Sequence, residues 1–243
     1  MPEPRRKHYI PLESNPEVFT KLIHALGVSS AFEFIDVLSL DDPDLIAMMP
    51  RPVLALILAF PAIGEDYNKK LEEQNRTREI YTGSGEGEDT VWYKQTIGNA
   101  CGLYAILHSI SNVPAKDFIT PDSAIARLLA TITPLAPEER ALALEASDEV
   151  EEAHRHAGNS GVTSVPNPED DVDHHYLAFV KSHKNNRVYE LDGMNKGPVE
   201  TGVTLAEGED VFGDAGRRLV KEMIEREDNV GFSLTALVPV KSL

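Results

Sequence analysis

The sequence predicts an α+β fold organised as one domain over 1–243, and three observations carry that prediction. Helical and strand-like segments are interspersed without strict βαβ alternation. A hydrophobic content of 42% over 243 residues is enough for one substantial core or two small ones. No linker-like stretch and no internal repeat divides the chain.

Asn15-Pro16-Glu17 combines a capping side chain, a first-turn proline and a first-turn acid. Val18, Leu22, Ile23 and Leu26 then recur at helical spacing before Gly27, which places the first helix at 16–26. The aromatic and β-branched run 32–38 reads as a strand, and 53–60, apolar at every position, reads as a strand covered on both faces in the middle of a sheet. A charged, exposed helix is expected at 65–80. The glycine-rich acidic loop 82–89 that follows lacks the Lys and Ser/Thr ending of a phosphate cradle. The segment from Cys101 is apolar on nearly every side until Ser109, as in a helix buried through the middle of a fold. Further helices are expected at 121–131, 137–146, 148–156 and 210–227. The runs 176–181 and 187–191 read as a hairpin, and 233–240 as a last strand.

The formal charge is −17, from 40 acidic against 23 basic residues, which disfavours nucleic acid as a partner and suits a basic macromolecule. One cysteine allows no intramolecular disulfide and no cysteine metal cluster, and it suits a reducing compartment. The basic start of the chain leads into no apolar signal region. The longest apolar run, 53–62, is interrupted by Pro61 and is too short to span a bilayer. A cytoplasmic or nuclear location, without membrane association, is the expectation.

Cys101 stands where a tight turn, Gln95-Thr96-Ile97-Gly98-Asn99-Ala100, feeds that apolar helix. The unpaired N–H groups and positive dipole end of a helix start favour a thiolate, the reactive form of cysteine. Gln95 lies far enough back along the turn for its amide to return toward the sulfur and hold an oxyanion, beside the Cys101 N–H. Alone, Cys101 also fits a small core residue. The predicted hairpin adds the partners. If its loop is Ser182-His183-Lys184-Asn185, Lys181 pairs with Asn186 and His175 stands directly opposite Asp192, with Cβ atoms roughly 4.5–5.5 Å apart. His174 then faces the other way. A lone strand histidine is commonly structural, and an Asp before Gly is commonly a turn residue. Their joint occurrence with Cys101 and Gln95 reads as a Cys-His-Asp triad.

These residues resemble the ubiquitin carboxyl-terminal hydrolases, cysteine peptidases with a papain-like catalytic arrangement. The resemblance runs nearly end to end: Pro11 to Val18, Pro50-Arg51-Pro52-Val53, Gln95 to Gly102, His175-Tyr176-Leu177-Ala178 and Tyr189-Glu190-Leu191-Asp192-Gly193. It implies a papain-like α+β fold, with helices flanking a central antiparallel sheet and the nucleophile at the N-terminus of a buried helix. It makes Cys101 the nucleophile, His175 the general base and acid, Asp192 its orienting partner and Gln95 the oxyanion stabiliser. By the same resemblance Pro11, Leu12, Glu13, Asp173 and His174 dock ubiquitin, and no cofactor or metal is needed. The family usually has Ser in place of Gly98, a change expected to affect flexibility more than chemistry, and its helix varies at Leu103 and Tyr104. By composition 147–173 is an ordinary mobile loop; by resemblance it is a crossover loop that passes small or unfolded adducts and excludes folded ones. The implied activity is hydrolysis after the C-terminal glycine of ubiquitin, by a monomer acting in ubiquitin-dependent protein catabolism. A ubiquitin-binding protein with little turnover would not need Gln95, His175 and Asp192 together. A redox sensor would want a second, resolving cysteine. A hydrolase for a ubiquitin-like modifier remains open at this stage.

Overall fold

The computed structural model describes residues 7–62, 64–112, 119–163, 166–170, 172–226 and 231–240. In chain order the elements are α1 (Pro16–Leu26), β1 (Phe32–Asp36), α2 (Pro43–Met48), β2 (Ala55–Pro61), α3 (Gly64–Arg76), α4 (Cys101–Ser111), α5 (Ala124–Ile132), α6 (Pro137–Glu145), α7 (Asp148–Gly158), β3 (His174–Lys181), β4 (Arg187–Leu191), β5 (Val199–Thr204), α8 (Asp214–Arg226) and β6 (Ser233–Pro239). The strands form one antiparallel sheet in the order β1-β6-β2-β3-β4-β5.

α1 has the expected bounds, because both caps are local. The Asn15 side chain accepts from the Glu17 N–H, and Gly27 turns out at φ 103°. β2 explains its unbroken apolar run by alternation. Ala55, Ile57 and Ala59 join the core beneath α1, α4 and α5, whereas Leu56, Leu58 and Phe60 join a second core with Phe212 and Val220 on the other side of the sheet. The sheet is therefore sandwiched between two apolar layers, and α4 is the buried helix of the first: all eleven of its residues are buried.

Several expected boundaries move. α3 stops at Arg76 rather than residue 80. The chain beyond runs extended, and the Tyr81 N–H donates to the Lys196 carbonyl at 2.9 Å. α5 begins at Ala124 because Ser123 accepts from the Ala126 N–H, and α8 begins at Asp214 because Asp210 is occupied with the Val53 N–H at 2.8 Å. α2 and β5 were not expected. α2 is one short turn and a half, and β5 alternates half-buried and exposed positions without a strong apolar pattern.

The β3–β4 register differs from the expected one by two residues. Ala178 pairs with Leu191 and Lys181 with Val188. The tight turn is 183–186, closed by the Ser182 N–H on the Arg187 carbonyl at 2.9 Å, because Asn186 takes the left-handed position at φ 57°. A slip of two residues leaves every side chain on its original face, so His175 and Asp192 still share a face although they are not directly opposed.

Candidate active site

α4 opens directly on Cys101. Its N-cap, Ala100, offers no side-chain oxygen, so the first-turn N–H groups have no side-chain cap and Cys101 stands at the positive end of the helix. The turn before it is stitched from several directions. The Gly98 N–H donates to the Lys7 carbonyl at 2.8 Å, the Tyr9 N–H donates to the Gly98 carbonyl at 2.9 Å, and the Tyr104 hydroxyl accepts the Thr96 N–H at 3.2 Å. A Cβ at Gly98 would collide with the His8 ring, so glycine serves close packing here rather than flexibility. Asn99 is left-handed at φ 57°, and its amide donates to the Pro168 and Asp170 carbonyls at 2.9 and 2.7 Å.

His175 and Asp192 meet past the end of the β3–β4 ladder, with Nε2 2.8 Å from Oδ1. That contact leaves Nδ1 as the ring nitrogen for the Cys101 sulfur, with which the imidazole is in hydrogen-bond contact. Both His175 and Asp192 are buried. Burial works against a charged imidazole, but the Asp192 carboxylate and its hydrogen bond, with Cys101 adding to them, push the His175 pKa up to about 10. Burial likewise works against the Asp192 carboxylate. The charge and hydrogen bond of His175, with the Met194 N–H at 2.8 Å, hold it below the usual carboxylate range. Phe60 covers the imidazole edge-on at 5.6 Å.

Gln95 is placed by its backbone, whose N–H donates to the Gly193 carbonyl at 2.8 Å. Its Nε2 donates to the Ile97 carbonyl at 3.2 Å, and its buried Oε1 has no partner among the described residues. The second N–H of that amide remains to serve an oxyanion.

Cys101 opens onto a cleft of about 610 Å³ also lined by Pro11, Leu12, Glu13, Asp173 and His174, the five positions expected to dock a partner. They are not equivalent. Leu12 is buried against Gly102, and its carbonyl accepts from the Tyr176 hydroxyl at 2.9 Å, so it is a wall of the cleft. Glu13 accepts from the Val162 N–H, the Thr163 N–H and the Thr163 hydroxyl at 3.0, 3.0 and 2.7 Å, which holds its carboxyl below the usual range. Asp173 and His174 are exposed.

Sequence reading missed the supports. His108 is fully buried on α4 and accepts the Tyr93 N–H at 3.0 Å, and burial pushes its pKa down to about 3, so it stays neutral. Asn112 accepts from the Val91 N–H and donates to the Val91 carbonyl at 2.6 and 2.7 Å. Arg140 and Glu88 form a buried ion pair at 2.7 Å. A lone His and a lone Asn at the end of an otherwise apolar helix are the one signal that could have pointed to them.

The family described as "Ubiquitin carboxyl-terminal hydrolase, family 1" matches residues 9–225. The chain belongs to that family. Curated relatives named "Ubiquitin carboxyl-terminal hydrolase" agree end to end. One from Aplysia californica is 38% identical over 227 residues, covering 92% of this chain and 98% of that protein. One from Drosophila melanogaster is 38% identical over 231 residues, covering 94% and 96%. Isozyme L1 from Homo sapiens is 32% identical over 230 residues, covering 93% and 96%. Among solved structures, the Trichinella spiralis UCH37 catalytic domain bound to ubiquitin vinyl methyl ester superposes with a TM-score of 0.70 at 22% identity, covering 96% of both chains, and shares the fold. This hydrolase is thus thiol-dependent, and its fold is the papain-like α+β arrangement expected from sequence.

Proposed function

We propose that this hydrolase cleaves the ester, thioester, amide or peptide bond after the C-terminal glycine of ubiquitin, with Cys101 as nucleophile, His175 as general acid and base, Asp192 as its orienting partner and Gln95 as oxyanion donor. The observation that carries the proposal is the buried contact of the Cys101 thiol with an imidazole whose other nitrogen is held by Asp192. With its pKa pushed up to about 10, His175 is an imidazolium at neutral pH, its charge balanced by Asp192 beside the Cys101 sulfur at the head of α4.

The thiolate attacks the glycine carbonyl, and the oxyanion is met by the Cys101 N–H and the second Gln95 N–H. His175 gives its proton to the departing group, leaving a thioester on Cys101 and a neutral imidazole. That imidazole takes a proton from water as hydroxide displaces the thiolate, restoring the imidazolium and the thiolate and freeing the glycine carboxylic acid, which gives up its own proton to solvent. Each step is supplied by side chains of this chain. A basic, glycine-ended tail suits a protein of charge −17 whose cleft carries Glu13 and Asp173.

Thr163, Pro166, Val172 and Asp173 from the 147–173 region also line the cleft, which supports its reading as a crossover that favours small or unfolded leaving groups. Residues 148–158 of that region are helical as α7, so the crossover is the shorter part that follows it. Action as a single-domain monomer in the cytoplasm, with access to the nucleus, completes the reading.

Ubiquitin carrying a C-terminal electrophile tests it. Mass spectrometry is expected to locate one adduct on Cys101, and folded protein left unmodified would overturn the proposal. Parallel probes built on ubiquitin-like modifiers measure the preference among tails.

A further inference from the structure

Asp192 orients His175 only if its own backbone is fixed, and the sheet does not fix it. The β3–β4 ladder ends at Ala178 and Leu191, one residue short. Apart from the Asn195 N–H within its own turn, the Asp192 carbonyl is held by the indole N–H of Trp92, which donates to it at 2.9 Å across a sequence separation of 100 residues. Trp92 is 1% exposed and is the single tryptophan of the chain.

Trp92 is itself fastened on all sides. Its carbonyl accepts from Arg140 Nη1 at 2.7 Å, and the guanidinium is held by both carboxylate oxygens of Glu88 at 3.2 and 2.7 Å. The residues on either side of it are bound to α4: Val91 to Asn112 and Tyr93 to His108. Three residues on, the Gln95 N–H donates to the carbonyl of Gly193, and a Cβ at Gly193 would lie 2.8 Å from that of Gln95. The segment 91–95 therefore ties the helix that carries Cys101 to the turn that carries Asp192.

We infer that Trp92 is a positioning residue of this reaction, its indole N–H holding the Asp192 backbone so that the carboxylate stays on His175. The inference rests on the proposed role of Asp192. A buried hydrogen bond made only to support geometry is worth about tenfold in rate, about 1.4 kcal/mol. A merely structural indole would affect stability and leave the chemistry of His175 unchanged.

Trp92→Phe keeps most of the ring and removes the donor. The expected result is a kcat about tenfold lower, KM for a ubiquitin ester within about twofold, and the basic limb of the pH–rate profile shifted to lower pH as the imidazolium loses its aligned counter-charge. Tyr81→Phe, which keeps the ring packed edge-on against Trp92 at 6.3 Å and the indole N–H but removes the hydroxyl that donates to Glu88 at 3.1 Å, is expected to leave that limb in place. Unchanged kcat and limb in Trp92→Phe, or a loss explained wholly by the unfolded fraction, would overturn the inference. Asp192→Asn measured alongside separates the two readings: if it is impaired and Trp92→Phe is not, only the role of Trp92 fails. Should Trp92→Phe not fold, the unique indole ¹⁵N–¹H resonance of the wild-type enzyme decides. Movement with the midpoint of the activity's basic limb supports coupling to the dyad, and an unmoving resonance overturns it.

Discussion

Cys101 lies between two regions built on opposite terms. On its inner side are α4, the 91–95 segment, His175 and Asp192, nearly all buried and bonded to core backbone. On its outer side the cleft is bounded by the N-terminal arm and the chain after α7, joined through contacts to the exposed or half-exposed Glu13 and Asn99. The contrast teaches where each requirement is met. An imidazole and a thiol must keep one geometry, and burial makes any alternative expensive. A wall that borders a substrate path needs contacts that water can replace, each worth about 0.5–1.5 kcal/mol.

The largest expected effect is at the sulfur. Cys101→Ser should lower turnover by about 10⁴-fold or more while ubiquitin affinity, read by calorimetry, is retained. Loss of both would make the inner region a structural core and erase the contrast.

Asp192→Asn should cost about 10²- to 10⁴-fold in kcat, read from the pH–rate profile, because the amide keeps the shape but not the charge. It also changes stability against pH. The folded pKa of His175, about 10, lies above its unfolded value near 6.5, so the paired imidazolium contributes stability in full below about 6.5 and loses it as pH rises through about 10. Denaturation midpoints measured across that window should fall with pH in the wild type and respond less in the variant.

Arg140→Met tests the far anchor of the inner region. It strands the buried Glu88 carboxylate and should cost about 3–5 kcal/mol in urea unfolding, whereas adding Glu88→Gln should recover part of the loss.

Changes on the outer side should be smallest. Asn99→Gly keeps the left-handed backbone and removes both contacts to 168 and 170, and Glu13→Gln weakens those to 162 and 163. Stability is expected to stay within about 1 kcal/mol, and the readout is the turnover ratio of bulky to small ubiquitin adducts, which should rise. The Glu13 carboxyl is held below the usual range, so its contacts persist at neutral pH and are lost as pH falls through that lowered value. A lengthened 166–170 segment that leaves size selectivity unchanged would break the reading of this wall as a filter.

Much of this was legible in the chain. α1 could be bounded to the residue because Asn15, Pro16 and Gly27 each act on neighbours within a turn. The facing of His175 and Asp192 was read correctly from a wrong register, since an even slip conserves the face. The missed elements had weak local patterns: α2 buries nothing and β5 is a half-exposed edge strand. Glu88 was read as one acid of a glycine-rich loop, and nothing near it in sequence signals a partner 52 residues away.

The sequence by itself determined the α+β class, the buried helix headed by Cys101 and the shared face of His175 and Asp192 on which the proposed triad rests, because capping, periodicity and strand alternation act over a few residues. Tertiary structure alone decided how that constellation is held: the Trp92 indole on the Asp192 carbonyl, the buried Arg140 and Glu88, and the fastening of Glu13 and Asn99. Those bonds join groups 52 to 150 residues apart, and only the packing of the helices on the sheet brings their atoms within hydrogen-bond reach.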